Sequence, residues 1–242
     1  MNIKHKITPY LQPTNHSCSV TALAVLLSHY GENVSPEDLL ALMPTNKDEQ
    51  GDEIGYINQD LATFCVKRGY DVSIYSSDFQ ILDLSWTGLD NSGLSKKLES
   101  IKFKRDSVPI LGEVWARRYI NSYIGFINAG GKLKVQSFIA STLIDELLSS
   151  GPILPAVMPG VLYSNGRSIN IGLRQAEQDD IDGQLSTHSI VVYGKAGDDY
   201  LVADQWYSMK RVKIEPLILA IQAAQIECDN LLIKIDKSKL NR

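Results

Sequence analysis

The chain has 242 residues, of which 44% are hydrophobic and 21% are charged, and its formal net charge is −4 at pH 7. This is the composition of an ordinary globular protein, long enough for one large domain or for a core domain with an inserted subdomain. The weakly acidic balance argues against a nucleic-acid binder, which would carry a basic stripe and a high pI. No run approaches the ~20 apolar residues of a membrane span.

The three cysteines, Cys18, Cys65 and Cys228, are widely spaced and odd in number. A disulfide framework is therefore not expected, and a reducing compartment suits a working thiolate. The N-terminus lacks the hydrophobic segment of a signal peptide. We expect the protein to be cytoplasmic, or to be secreted without a signal peptide as an effector.

The first predicted helix begins near Cys18. Apolar residues between Val20 and Leu27 recur with helical spacing, and Asn15 and Ser17 are residue types that cap helix N-termini. The helix is expected to end near Gly31. The sulfur of Cys18 would then lie in the first turn, at the positive end of the helix dipole.

Shorter elements follow along the chain. Ser35–Met43 begins with a cap residue and a proline and is predicted to be a helix. Residues 45–53 are polar and are predicted to form a loop. Residues 57–65 share one apolar helical face, which assigns Cys65 to the core, and Asp71–Tyr75 alternates as a strand does.

Two segments are predicted to be insertions. Residues 78–135 contain a basic helical face at 96–105 and an aromatic stripe from Trp115 to Tyr123. A basic helical face is usually exposed to solvent, and an aromatic stripe is usually packed against other side chains. The alternative is that this segment forms a lid beside a substrate cleft. Residues 159–186 are predicted to be a loop insertion, either a cleft wall or a plain surface loop.

Two residues near the end of the chain are predicted to lie side by side. Thr187–Gly194 and Tyr200–Asp204 are strand-like and flank the turn Lys195–Asp199, which predicts a β-hairpin. His188 lies near the start of the first strand and Asp204 ends the second. The hairpin would therefore bring an imidazole and a carboxylate together. Beyond it, 213–225 is predicted to be a helix and 228–235 to include a strand.

Cys18, His188 and Asp204 are the residue types that a thiol active site requires. A cysteine becomes a good nucleophile at neutral pH where a helix N-terminus or an imidazolium stabilises its thiolate. His188 would act as general base and then general acid, while Asp204 would bond its other ring nitrogen. Gln12, six residues before Cys18, would donate its side-chain amide to an oxyanion together with the backbone N–H of Cys18.

At these residues the chain resembles the double-glycine (bacteriocin-leader) peptidases, a papain-like family found on peptide-exporting ABC transporters and as free-standing domains. The resemblance covers about half of the chain: Pro9–Tyr30, more loosely Ile54–Tyr75, and Leu143–Gln205. It implies a free-standing peptidase domain. The segment Leu143–Val157 resembles the family's helix, glycine stop and core strand.

The resemblance implies a role for each of the four residues. Gln12 matches the family's oxyanion glutamine, Cys18 its nucleophile, His188 its base and Asp204 its orienting acid. Cys18 is followed by Ser-Val-Thr where the family has a glycine-containing turn, and Asp204 is followed by Gln205 where a proline is common.

The expected fold is α+β and papain-like, with an N-terminal helical layer on an antiparallel β-sheet in one domain, residues 1–242. The expected function is hydrolysis of a peptide or amide bond in a peptide or protein substrate, without a cofactor. Two alternatives remain: an acyltransferase with the same triad, and a catalytically silent peptide-binding module. A zinc site made by His16, Cys18, His188 and Asp204 is a third, although no closely spaced ligand pair supports it.

Overall fold

The computed structural model describes residues 2–43, 45–47, 51, 53–102 and 112–238. The helices are α1 (Cys18–His29), α2 (Pro36–Leu42), α3 (Asn58–Lys67), α4 (Asn91–Lys102), α5 (Gly112–Asn128), α6 (Ser141–Leu148), α7 (Pro159–Leu162) and α8 (Ile214–Ala223). Two short 3₁₀ helices cover Leu84–Trp86 and Ala224–Glu227. The strands are β1 (Asn2–Lys4), β2 (Asn46–Lys47), β3 (Glu53–Gly55), β4 (Tyr70–Ser76), β5 (Lys132–Val135), β6 (Ile153–Val157), β7 (Ser168–Gly172), β8 (Gln175–Gln178), β9 (His188–Ala196), β10 (Asp199–Asp204), β11 (Ser208–Lys213) and β12 (Leu231–Ser238).

An eight-stranded sheet organises the described part of the chain. Its strand order is β11-β10-β9-β6-β12-β4-β5, and β1 pairs with β9 beyond the end of β6. The pairing of β4 with β5 is parallel, and the other pairings of this sheet are antiparallel. The expected α+β class with a largely antiparallel sheet is confirmed.

The sheet carries a hydrophobic core on each face. Alternate residues of a strand point to opposite faces, and in β9 Val191 and Tyr193 join the core under α1, α3 and α5, whereas Ile190 and Val192 join the core under α6 and α8. Buried apolar area of this extent is the main stabilising contribution to such a fold. The nucleophile-bearing helix is thereby fixed against the strand that carries the imidazole.

Helix α1 is buried along most of its length, from Ser19 to Leu27. Ser17 occupies the N-cap position as the sequence indicates, but its side chain does not cap the helix. Its Oγ instead donates to the carbonyl of Thr14 at 2.9 Å and accepts from the Thr14 N–H at 3.0 Å. The hydroxyl therefore closes the loop before Cys18 and leaves the first N–H groups of the helix without that cap.

Most of the other predicted elements are present. Ser35 caps α2 through a capping box with Asp38, Cys65 is buried in α3, and β9 and β10 form the expected hairpin. The C-terminal helix begins at Ile214 and not at 213, because Lys213 is the last residue of β11. Residues 48–50 and 52 of the predicted loop 45–53 lie outside the described residues, and its ends form the β2–β3 pair.

The two predicted insertions contain regular structure. Within 78–135, α4, α5 and β5 contribute buried side chains to the core under α1, and the aromatic stripe is packed at Tyr119 and Tyr123. Residues 103–105 of the predicted basic face lie outside the described residues. Within 159–186, α7 and the β7–β8 hairpin replace the expected loop. The division into one domain with a lid stays a prediction.

No helix in the described ranges has the length and apolar character that crossing a membrane requires.

Candidate active site

Cys18 is the first residue of α1 and is half-buried. The helix places its sulfur beside N–H groups that have no partner within the helix, which favours a negative charge there. The other two cysteines, Cys65 and Cys228, are buried. Burial raises the pKa of the Cys65 thiol to about 12, with a further increase from Glu32. Only Cys18 therefore combines access with a setting that stabilises a thiolate.

His188 and Asp204 meet at the open end of the β9–β10 hairpin. Asp204 pairs in register with Ile190, so its side chain and that of His188, two residues away along β9, lie on one face of the sheet. His188 Nε2 is 3.2 Å from Asp204 Oδ1. The hairpin thus brings the imidazole and the carboxylate within hydrogen-bonding distance.

Further donors hold the carboxylate of Asp204. The Tyr163 hydroxyl donates to Oδ2 at 2.5 Å, and the backbone N–H groups of Trp206 and Tyr207 donate to Oδ1 at 2.7 and 3.2 Å. Burial alone would raise the pKa of Asp204, but the charge and hydrogen bond of His188 and these donors lower it to about 2. The carboxylate is therefore ionised and fixed in orientation.

Cys18 lies beside the side chain of His188, and each group shifts the pKa of the other. Because Nε2 serves Asp204, the ring nitrogen left for the sulfur is Nδ1. Burial alone would raise the pKa of Cys18, but the hydrogen bond and charge of His188, with bonds from Ser189 and Ser19, lower it. Burial alone would lower the pKa of His188, but Asp204 and Cys18 raise it to about 10. The interaction between the two groups therefore shifts Cys18 toward the thiolate and His188 toward the imidazolium.

Gln12 lies in the loop before α1 and is fully buried. Its Nε2 donates to the carbonyl of Thr14 at 2.8 Å, and its backbone N–H donates to the carbonyl of Gln205 at 3.0 Å. Since Gln205 follows Asp204, this bond joins the loop of the glutamine to the strand of the acid. An amide nitrogen carries two hydrogens, so one N–H of Gln12 remains to donate elsewhere.

Ser19 and Ser189, which directly follow Cys18 and His188, hydrogen-bond to each other. Their hydroxyl oxygens are 2.8 Å apart, and Ser189 Oγ also donates to Asn58 Oδ1 in α3 at 3.2 Å. The start of α1 is thereby tied to the start of β9. In the sequence Ser19 is visible only as a departure from the family pattern, because a contact across 170 positions has no local signal.

Aromatic rings enclose the base. Trp206 approaches His188 edge to face, with ring centroids 6.3 Å apart, and Tyr207 contacts Tyr163 in the same manner at 5.3 Å. Trp206 is half-buried and Tyr207 is exposed. The Trp206 contact is compatible with shielding of the His188–Asp204 pair from water.

The β7–β8 hairpin contacts the loop of Gln12. Arg174, at the hairpin tip, donates from Nη1 to the carbonyl of Gln12 at 2.9 Å and from its backbone N–H to Asn15 Oδ1 at 3.2 Å. Two apolar side chains next to the tip, Ile171 and Leu173, are 61% and 46% exposed. The hairpin therefore lies against the loop of Gln12 and presents exposed apolar groups next to its tip.

A pocket of about 400 Å³ borders this loop. It is lined by Thr14, His16, Leu40, Thr45, Lys47, Glu53 and Tyr56. A pocket of about 440 Å³ along β1 and β10 contains none of the candidate site residues. Within the described ranges, no three His, Cys, Asp or Glu side chains are grouped so that they could hold a metal ion.

No protein-family model matches this chain, and no curated protein matches it. Among solved structures, it is similar to a crystal structure from Bacillus anthracis that is described, provisionally, as a C39-like peptidase. The identity is 12%, the TM-score is 0.46, and the alignment covers 99% of this chain and 100% of the other. The function proposed below therefore rests on the geometry of the site.

Proposed function

We propose that the protein is a papain-like cysteine peptidase that hydrolyses a peptide or amide bond through Cys18, His188 and Asp204. One observation carries the proposal: Cys18 at a helix N-terminus lies close enough to His188 for each to shift the pKa of the other, and His188 Nε2 lies 3.2 Å from the buried carboxylate of Asp204. A nucleophile, a base and a group that orients the base thus stand in series.

In the first half of the reaction, the thiolate of Cys18 attacks the carbonyl carbon of the substrate and forms a tetrahedral oxyanion. The backbone N–H of Cys18 and the free N–H of Gln12 would donate to that oxyanion. The imidazolium of His188 then gives its proton to the departing amine, and a thioester on Cys18 remains.

In the second half, His188 takes a proton from water, which attacks the thioester and releases the acid. Asp204 keeps the imidazole in one orientation throughout and stabilises its charged form. Trp206 limits the approach of bulk water to the ring. The same intermediate could pass its acyl group to an amine, so the acceptor has to be measured.

Alkylation of the three cysteines tests the site itself. We expect iodoacetamide at pH 7 to modify Cys18 before Cys65 and Cys228, as read by peptide mass mapping, because only Cys18 is paired with an imidazolium. The variant His188→Ala should remove this advantage. Equal rates for the three cysteines in the wild type would identify a silent module and end the proposal.

Product analysis tests the reaction. Purified protein is incubated with a peptide library that includes double-glycine sequences, with and without added amines, and the products are weighed. Peptidase activity predicts cleavage products that take one oxygen from ¹⁸O-labelled water and are absent with Cys18→Ser. Amine adducts in place of hydrolysis products would instead identify an acyltransferase. Cleavage after Gly-Gly would support the resemblance to double-glycine peptidases.

A further inference from the structure

Two acidic side chains lie beside the first residue of the base-bearing strand. Glu227 ends a 3₁₀ helix, and Asp229 follows it after Cys228, which has a left-handed backbone with φ +56°. This turn directs both carboxyl groups toward Thr187, the residue that precedes His188. We call Glu227 and Asp229 the carboxyl pair.

Thr187 is held by both members of the carboxyl pair. Its backbone N–H donates to Glu227 Oε2 at 3.0 Å, and its Oγ1 lies 2.5 Å from the same oxygen and 3.2 Å from Asp229 Oδ2. A hydroxyl group has one hydrogen to donate. If Thr187 gives it to Glu227, the shorter contact, then a hydrogen bond to Asp229 requires that Asp229 carry a proton and donate it to Thr187.

The surroundings of Asp229 favour that proton. Burial, together with the negative charges of Glu227 and Asp78, raises the pKa of Asp229 to about 8 against the opposing interactions with Asn58 and Thr187. Tyr119 of α5 also faces it. The negative charge of Glu227 beside the buried Asp229 disfavours a second charge there, which favours the protonated form of Asp229.

Asp229 also reaches the other neighbour of His188. Asn58 lies close enough to Asp229 to lower its pKa, and its Oδ1 accepts from Ser189 Oγ at 3.2 Å. Thr187, the residue before His188, therefore contacts the carboxyl pair directly, and the side chain of Ser189, the residue after it, is linked to Asp229 through Asn58.

We propose that the carboxyl pair positions His188. It holds the imidazole against Cys18 while Asp229 is protonated, and this hold weakens when Asp229 loses its proton. With both acids ionised, the single hydroxyl of Thr187 can serve only one of them, and the buried charges repel each other. The inference rests on the proposed function only in that it acts through the Cys18–His188 pair.

The test is the rate of Cys18 alkylation by iodoacetamide between pH 6 and pH 9.5, followed by peptide mass mapping. In the wild type the rate should fall about three- to tenfold, the factor of one net hydrogen bond, in a step centred near pH 8. Asp229→Asn has the shape of the protonated acid and can still donate a hydrogen bond to Thr187, but it cannot ionise. The step in the alkylation rate should therefore disappear. An unchanged step in Asp229→Asn would overturn the proposal.

Two further variants separate positioning from folding. Thr187→Val removes the hydroxyl that couples the carboxyl pair to β9, and it should lower the rate at every pH and abolish the step. Asp78→Asn is the control. It removes a buried acid whose pKa burial raises to about 6 and whose hydrogen bonds go to Gln80 and Gln225. The step in the alkylation rate should remain in this variant. A general loss of structure would lower rates without removing the step.

The outcomes distinguish the two proposals. A wild-type Cys18 that reacts no faster than Cys65 at pH 7 contradicts the proposed function. A reactive Cys18 whose rate shows no step near pH 8, or the same step in Thr187→Val, leaves the function standing and overturns the role of the carboxyl pair.

Discussion

Asp204 and Asp229 are two aspartates of similar burial, at 1% and 5% exposure, in opposite electrostatic settings. Asp204 faces His188 and its pKa is lowered to about 2, whereas Asp229 faces Glu227 and its pKa is raised to about 8. Burial disfavours the charged form of both. The neighbouring charge therefore decides which acid is ionised at neutral pH.

The largest expected effect comes from removing the charge at Asp204. Asp204→Asn leaves the imidazole without an anionic partner, so we expect kcat to fall by about 10³-fold or more and the alkylation rate of Cys18 at pH 6 to fall with it. The matched control is Asp199→Asn at the other end of β10, where the carboxylate pairs with Lys213 at 2.7 Å. Equal losses in both variants would show that Asp204 has no special role.

The opposite pKa shifts predict opposite effects of pH on stability. Asp229 keeps in the folded state a proton that the unfolded chain loses near pH ~4, so its contribution declines as pH rises toward 8. Asp229→Asn should therefore raise the free energy of unfolding at pH 8.5 by about 1 to 3 kcal/mol. For Asp204 the contribution is present above pH ~4 and is lost as pH falls toward 2.

Urea denaturation at pH 5, 7 and 8.5 measures this difference. The curves of Asp229→Asn and the wild type should converge at pH 5 and separate at pH 8.5, whereas Asp204→Asn should be less stable than the wild type at pH 7 and 8.5. Parallel pH dependence in the three proteins would mean that the neighbouring charges do not set the two ionisation states.

The hydrogen bond between Ser19 and Ser189 connects α1 to β9, and its removal should have a smaller effect. A double-mutant cycle of Ser19→Ala and Ser189→Ala should give a coupling of about 1 kcal/mol in the free energy of unfolding, because the hydroxyls are buried and bonded to each other. Ser100→Ala, on the exposed face of α4, is the control and should change stability little. A coupling of zero would remove the link between α1 and β9.

The smallest expected effect concerns the β7–β8 hairpin, which contacts the loop of Gln12 through Arg174. Arg174→Ala removes the bond to the Gln12 carbonyl, and we expect KM to rise about threefold while kcat changes less. Arg167→Ala, an exposed residue of the same hairpin segment, is the control. A larger change in kcat than in KM would indicate that the hairpin orients Gln12 for catalysis.

The sequence was sufficient where local signals specify an element. Helical spacing after Cys18 predicted α1, and the glycine-containing turn between two apolar runs predicted the hairpin that joins His188 to Asp204. These two elements account for the thiol, the imidazole and the carboxylate. The chemistry of the candidate site was therefore readable from residue types and their order, and its catalytic role stays a prediction.

The contacts that support the site had no such signal. Asn58 and Asp229 lie on different elements far apart in the chain, and their partners are fixed only when α3, β9 and the turn before β12 pack together. The β7–β8 hairpin was missed for another reason. All residues of β8 are exposed, so no alternation of polar and apolar residues marks it as a strand.

The position of β12 makes the sheet depend on a strand that is made after its neighbours. This strand lies between β6 and β4 but leaves the ribosome after both. Until it inserts, the sheet consists of two separate parts, and such long-range pairing forms slowly. Glu227 and Asp229, which contact Thr187 beside His188, precede β12 in the chain, so these contacts also form only after the other strands of the sheet have been made.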